Sequence, residues 1–334
     1  MAPSKDAMPP PKGLEISQAA PDLWKIEDIS GKGKGVIALK SITPGTLLIS
    51  EAPIFTTEII TALSTADSDI AKHLRTLPKD KQRAFLSLHN NFPGQKGPLT
   101  NILKSNGYPL GAGSEVGGIF ENISRINHSC LPNAVHNWNP LLEQETVYVV
   151  RPIAEDEEIT LSYHSGGPSH ARKSLLKENF GFDCTCALCS SSPSALKKSD
   201  ENLILAASLD ASIGDSETVR YSPNKVLKSC KSLLAIYEEE GIKDDRLSRA
   251  YYDLFQICAM HSDAARASWW ARRYVEVKSC SAGRDSVDLL EMKPFVKKPG
   301  RFESWGVTGM WKSKSEEVPK ERDGVEFERW LWRE

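Results

Sequence analysis

Cysteine is distributed very unevenly along this chain of 334 residues. None of the seven cysteines precedes Cys130, and four of them lie between Cys130 and Cys189. A chain that stays inside the cell keeps its thiols reduced, so clustered cysteines indicate metal binding or catalysis before disulfides. The N-terminal residues lack the apolar core of a secretory signal, and no apolar run reaches the roughly 20 residues of a membrane helix. We therefore expect a soluble intracellular protein, in the nucleus, the cytoplasm or both.

Charge is nearly balanced, with 42 basic against 44 acidic residues and a formal net charge of −2. A balanced chain lacks the single-sign field of a nucleic-acid or membrane-surface binder, so we expect neither partner. Hydrophobic residues make up 40% of the chain, which is ordinary for a globular protein. The length predicts about two domains, and we expect a monomer.

The hydrophobic patterning predicts an α+β protein with its β-rich part first. Short alternating strands broken by glycine and proline occupy residues 21–165, with a helical insert at about 58–110. Glycine, proline and asparagine are frequent in residues 93–118, which predicts mostly loop there. Helical spacing returns over residues 200–295. Residues 1–20 are expected to be flexible and residues 296–334 irregular.

Three cysteines stand within six residues in Cys184-Thr-Cys186-Ala-Leu-Cys189. A tetrahedral zinc ion needs four ligands, with zinc–sulfur distances of about 2.3 Å, so these three cysteines need a fourth ligand from elsewhere in the sequence. Cys130 is the strongest candidate, although histidine ligands are possible. The alternative is a set of reduced thiols without metal. A zinc ion would join residues 166–192 to the middle of the β-rich domain.

Three further motifs are ambiguous when each is taken alone. Gly31-Lys-Gly-Lys-Gly35 is typical of a plain glycine turn, since no Gly-Lys-Ser/Thr follows it as in a phosphate loop. Arg125-Ile-Asn-His-Ser-Cys-Leu-Pro-Asn133 is more often a satisfied turn than a site. A tyrosine at the end of an apolar strand, as in Glu158-Ile-Thr-Leu-Ser-Tyr163, is usually a core or rim residue.

Taken together and in their order along the chain, with the glycine motif first and the cysteine motif last, the four motifs resemble the SET-domain protein lysine methyltransferases. The resemblance covers roughly residues 23–189 and is strongest to the SET-and-MYND subgroup and to SET proteins of fungi. It implies a β-rich SET domain over residues 21–165 with a pseudoknot between the Asn-His-Ser-Cys and tyrosine segments. It also implies a zinc-binding post-SET segment over residues 166–192 and an all-helical, TPR-like C-terminal domain.

The resemblance assigns roles to individual residues of this sequence. It implies S-adenosylmethionine as cofactor, a lysine of a protein or peptide as substrate, and Tyr163 as the catalytic residue beside the transferred methyl. One structural zinc ion is implied on the four clustered cysteines. The implied cofactor-binding residues are Lys32, Gly33, Lys34, Asn127, His128, Tyr163 and Phe182, and the implied zinc ligands are Cys130, Cys184, Cys186 and Cys189.

The sequence also departs from this subgroup. No cysteine lies between Gly35 and Glu121, so the MYND zinc finger is missing and partner choice is open. The acidic run 155–158 fits either a rim for a basic peptide or a solvated turn. The implied activity is protein-lysine N-methylation, with histones among the possible substrates. Two alternatives are a non-catalytic SET scaffold that binds partners through its helical half, and a zinc-stabilised interaction module.

Overall fold

The computed structural model describes residues 18–57 and 67–334. Most of the N-terminus predicted to be flexible, and the first residues of the predicted helical insert, lie outside the described residues. The chain divides into two compact units, of which the first extends to Ser191 and the second covers Ser192–Glu334. Within the described ranges, no helix is long and apolar enough to cross a membrane.

Ten short strands in the described part of the first unit form three small sheets. Their orders are β1-β2-β10-β7, β3-β9-β8 and β4-β6-β5. The strands are β1 (Trp24–Ile29), β2 (Gly33–Ala38), β3 (Leu47–Glu51), β4 (Phe55–Thr57), β5 (Gly107–Pro109), β6 (Gly117–Ile119), β7 (Asn127–His128), β8 (Ala134–Asn139), β9 (Gln144–Val149) and β10 (Glu158–Leu161).

Two of these pairings bring distant parts of the sequence together. β10 pairs antiparallel with β2 on one side and parallel with β7 on the other, where Leu161 lies opposite His128. Alternate residues of β10 point into the core, and the side chains of Ile159 and Leu161 are fully buried beside Val36. This pairing places Tyr163, two residues after the end of β10, beside the Asn127–His128 segment. This is the contact that the expected pseudoknot requires.

Between β4 and β5, the described residues of the first unit form three helices: α1 (Asp67–Thr76), α2 (Lys79–Leu86) and α3 (Pro98–Asn106). The carboxylate of Asp67 accepts hydrogen bonds from the backbone nitrogens of Leu99 (3.2 Å) and Thr100 (2.9 Å), so it caps the N-terminus of α3. The prediction of mostly loop for residues 93–118 is wrong here. Pro98 at the first helical position is the start signal that the composition concealed.

Helix α4 (Ser169–Phe180) leads into the clustered cysteines, and the second unit is helical. Its helices are α5 (Pro193–Ile213), α6 (Ser216–Tyr221), α7 (Pro223–Glu239), α8 (Asp245–Met260), α9 (Ala264–Ala282), α10 (Val287–Lys297) and α11 (Gly324–Trp332). The α+β class, with a β-rich part, a cysteine cluster and a helical C-terminal region, is confirmed. Helix α11 lies in the segment predicted to be irregular, and it buries Phe327 and Leu331 at a four-residue spacing. The TPR-like arrangement stays a prediction.

Candidate active site and metal centre

The turn between β1 and β2 brings bare backbone to the site. Gly31 and Gly33 adopt φ angles of 75° and 74°, a conformation that glycine reaches without strain. Gly35 is needed for a different reason, because a Cβ built there would lie 2.8 Å from the Nδ2 atom of Asn127. The glycines thus let the turn bend and let the Asn127 side chain pack against the β2 backbone.

Asn127 is held by two parts of the chain that are remote in sequence. Its Nδ2 atom donates to the backbone oxygen of Lys34 (3.2 Å) and to Oε1 of Glu158 (2.9 Å). The other carboxylate oxygen of Glu158 lies 2.6 Å from Nζ of Lys32. One carboxylate therefore positions both an amide and a cation. Glu158 belongs to the acidic run 155–158, and both of its carboxylate oxygens contact other side chains of the protein.

Tyr163 is fixed at both its backbone and its hydroxyl. The backbone nitrogen donates to Nδ1 of His128 (3.0 Å), and the hydroxyl donates to the backbone oxygen of Ile126 (2.6 Å). Its ring packs against Phe180 with 4.9 Å between centroids. Burial raises the pKa of the Tyr163 phenol above its ordinary value, so the hydroxyl keeps its proton at physiological pH.

His128 is buried, and its ring centroid lies 5.2 Å from that of Tyr163 and 6.1 Å from that of Phe182. Burial, followed by the neighbouring His164, lowers the pKa of His128 to about 3. The imidazole is therefore neutral and serves as a hydrogen-bonding group rather than as a charge.

These residues surround one cavity of about 510 Å³, within the usual size range of small-molecule sites. All seven residues that the sequence implied for the cofactor lie in its wall: Lys32, Gly33, Lys34, Asn127, His128, Tyr163 and Phe182. Their individual roles remain predictions.

The sequence reasoning missed part of this wall, which comes from the helical insert. His89, Asn90 and Asn106 line the cavity, and the Nδ2 atom of Asn106 donates to the backbone oxygen of His89 (2.7 Å). The sequence did carry a signal for them, because Phe85-Leu-Ser-Leu-His-Asn90 is similar to phrases of SET-and-MYND proteins. Arg125 also lies in the wall, where its guanidinium donates to the hydroxyl of Ser87.

The four clustered cysteines meet at the edge of the same cavity. The ligand atoms of Cys130, Cys184, Cys186 and Cys189 all lie within 4.8 Å of one another. The Sγ atom of Cys130 is 3.9 Å from that of Cys184 and 3.6 Å from that of Cys189. These distances exclude disulfides, which need about 2.05 Å. Tetrahedral ligation at about 2.3 Å places the sulfurs about 3.8 Å apart, so the cluster fits a zinc ion.

Comparison with known proteins supplies the family. A SET domain profile matches residues 33–164. The histone-lysine N-methyltransferase set5 of Schizosaccharomyces pombe is 33% identical over 280 residues, which cover 83% of this chain and 85% of that protein. The chain belongs to the SET-domain family of protein lysine methyltransferases. The resemblance predicted from the motifs is therefore confirmed.

Two further relatives share shorter parts of this SET-domain protein. The histone-lysine N-methyltransferase ASHR1 of Arabidopsis thaliana is 46% identical over 77 residues, 22% of this chain and 15% of that protein. The human histone-lysine N-methyltransferase SMYD1 is 26% identical over 178 residues, 48% of this chain and 33% of that protein. The chain is thus a SET-domain protein-lysine N-methyltransferase, an enzyme whose substrate is a lysine of a protein and whose family uses S-adenosylmethionine.

Proposed function

We propose that this SET-domain enzyme binds S-adenosylmethionine in the 510 Å³ cavity and methylates the ε-amine of a histone lysine. The observation that carries the proposal is that one cavity wall collects every residue implied for the cofactor, together with the strand-end tyrosine. The histone substrate is supported by set5 of Schizosaccharomyces pombe, which is named a histone-lysine N-methyltransferase and matches most of this chain.

The cofactor supplies a methyl group activated by a positively charged sulfur. The protein has to place a neutral amine in line with that methyl group, and positioning alone can provide much of the acceleration. Burial in the cavity disfavours the ammonium form of an incoming lysine and so lowers its pKa. Tyr163 keeps its proton, and its bond to the backbone oxygen of Ile126 fixes the hydroxyl. The tyrosine therefore orients the reacting groups as a neutral dipole.

The polar side of the cavity suits the amino-acid end and ribose of the cofactor. Asn127 offers an amide, Lys32 offers an ammonium group, and the turn at Gly33 offers backbone without a side chain. Phe182 offers an aromatic face for the adenine. These assignments are the ones that the resemblance implies, and the chemistry of each group is compatible with them.

We also propose that the cysteine cluster holds one structural zinc ion. Four thiolates fill a tetrahedral coordination sphere, which leaves no open position for catalysis. Cys184 and Cys186 belong to both the cluster and the cavity wall. Ligation would therefore hold the wall of the cofactor cavity in place.

The deciding experiment incubates the full chain with labelled S-adenosylmethionine and either histones or a protein extract. We expect labelled histones with wild type, and a rate at least about 100-fold lower with Tyr163→Phe, by analogy with the loss of an active-site hydrogen-bonding group. Tyr221→Phe, at an exposed position of the helical unit, is the matched control and should behave as wild type.

Three results would revise the proposal. Equal labelling by wild type and Tyr163→Phe would remove the catalytic assignment. Labelling of other proteins but not of histones would remove the substrate. Cofactor binding without any turnover would favour a non-catalytic SET scaffold.

A further inference from the structure

The sulfur of Cys130 has two histidines beside it in addition to the other cysteines. The Nε2 atoms of His128 and His164 each lie 3.3 Å from Cys130 Sγ, and the three side chains form a compact group. Neither the motifs nor the resemblance gave a role to His164. The two rings pack against each other with 4.9 Å between centroids.

Backbone hydrogen bonds determine which nitrogen of each ring carries the proton. The backbone N–H of Tyr163 donates to Nδ1 of His128 at 3.0 Å. The backbone N–H of Gly166 donates to Nδ1 of His164 at 2.9 Å. A nitrogen that accepts a hydrogen bond has its lone pair free of a proton, so in both neutral rings the proton sits on Nε2. Both Nε2–H groups therefore donate to the Cys130 sulfur.

Two N–H donors on one sulfur suit a thiolate much better than a thiol. A zinc ion with four thiolates carries a net charge of −2, and burial makes that charge costly unless donors or cations surround it. Arg172 provides such a cation: its side chain is 1% exposed and its Nη2 atom lies 3.9 Å from Cys189 Sγ. Over residues 18–57 and 67–334, no carboxylate forms an ion pair with Arg172.

We propose that His128 and His164 form a two-histidine clamp on the Cys130 thiolate, which stabilises the zinc centre and ties it to the catalytic Tyr163. His128 connects the two directly, because it accepts from the Tyr163 backbone through Nδ1 and donates to Cys130 through Nε2. His164 connects them through the chain, since it is the residue after Tyr163. His164 is therefore a positioning residue. The inference rests on the proposed zinc ion.

The test measures zinc and not only methylation. His164→Leu removes the donor, and zinc affinity measured against a competing chelator should fall about 10- to 100-fold, as outer hydrogen-bond partners of metal ligands do. His164→Gln keeps an N–H near the position of Nε2 and should restore affinity to within about threefold of wild type. His170→Leu, the same change at an exposed position on α4, is the control and should release zinc as wild type does.

A second measurement needs no substitution. Long-range proton–nitrogen NMR correlations of the zinc-loaded wild type should show His128 and His164 protonated at Nε2. Protonation at Nδ1 of either ring would overturn the clamp. So would unchanged zinc affinity in His164→Leu, or a loss that His164→Gln does not repair. A wild-type protein that binds no zinc would instead overturn the zinc part of the proposed function.

Discussion

Asn133 joins the Asn127–Cys130 loop to strand β10, so its removal should loosen the strand that positions Tyr163. The side chain is 6% exposed. Its Oδ1 atom accepts from the backbone N–H of Thr160 (2.8 Å), and its Nδ2 atom donates to the backbone oxygen of Glu158 (2.9 Å). Asn133→Ala would leave these buried groups without those bonds.

The expected loss of local stability in Asn133→Ala follows from these hydrogen bonds. Stranding a buried donor costs about 1–3 kcal/mol, and the other lost bonds add about 1 kcal/mol, which gives about 2–4 kcal/mol. At about 1.4 kcal/mol per factor of ten, backbone amide exchange at Thr160 and its neighbours in β10 should accelerate about 30- to 700-fold.

Hydrogen exchange read by mass spectrometry measures this directly in the full chain. The helical unit serves as an internal reference, because its amides should exchange at wild-type rates. Asn224→Ala, at an exposed position on α7, is the matched control and should leave β10 protected. If Asn133→Ala folds and β10 keeps its wild-type protection, the loop does not hold the strand and the reasoning is refuted.

Three further outcomes are expected. Chelating the proposed zinc ion should destabilise the first unit by about 4 kcal/mol, the loop-closure value for the 54-residue separation of Cys130 and Cys184, and protease cleavage after residue 165 should then increase. Gly35→Ala should weaken S-adenosylmethionine binding at least about tenfold in calorimetry, because its Cβ would clash with Cδ1 of Ile29 and lie 2.8 Å from the amide nitrogen of Asn127 and so displace both side chains, whereas Gly309→Ala, with open space around it, should not. Burial raises the pKa of Asp253 to about 6, so its stabilising contribution is complete below pH 3.8 and is lost as the pH rises through 6. Asp253→Asn should therefore be more stable than wild type at pH 8, by at most about 3 kcal/mol in urea unfolding, and equal to it near pH 4.

Each motif is short, so its residues stay near one another in the chain and their local setting can be inferred from the sequence. Gly33 belongs to the predicted glycine turn and opens β2, and Tyr163 comes two residues after β10, whereas Asn127, expected in a loop, belongs to the short strand β7. Their common cavity could be anticipated only through the family resemblance, since strand pairing across more than 100 residues has no local signal. The fold class was accessible for the same reason, because alternation and helical spacing are local properties.

The contacts that organise the site were not accessible from sequence. Glu158 holds Lys32 across 126 residues, and His164 reaches Cys130 across 34. The sequence pattern of an acidic turn, or of a histidine after a strand, is the same whether the side chain is solvated or bonded to a distant partner. Helix α3 lies within the predicted helical insert, but its start at Pro98 was concealed by the surrounding glycines and other loop-forming residues.

Titration of the full chain with S-adenosylmethionine determines whether the cavity binds the cofactor. We expect one cofactor per chain for wild type, binding at least about tenfold weaker in Asn127→Ala, and near-normal binding in Tyr163→Phe, since the proposed role of its hydroxyl is in the transfer step. Absence of binding in wild type, or equal affinity in wild type and Asn127→Ala, would contradict the assignment of this cavity to the cofactor.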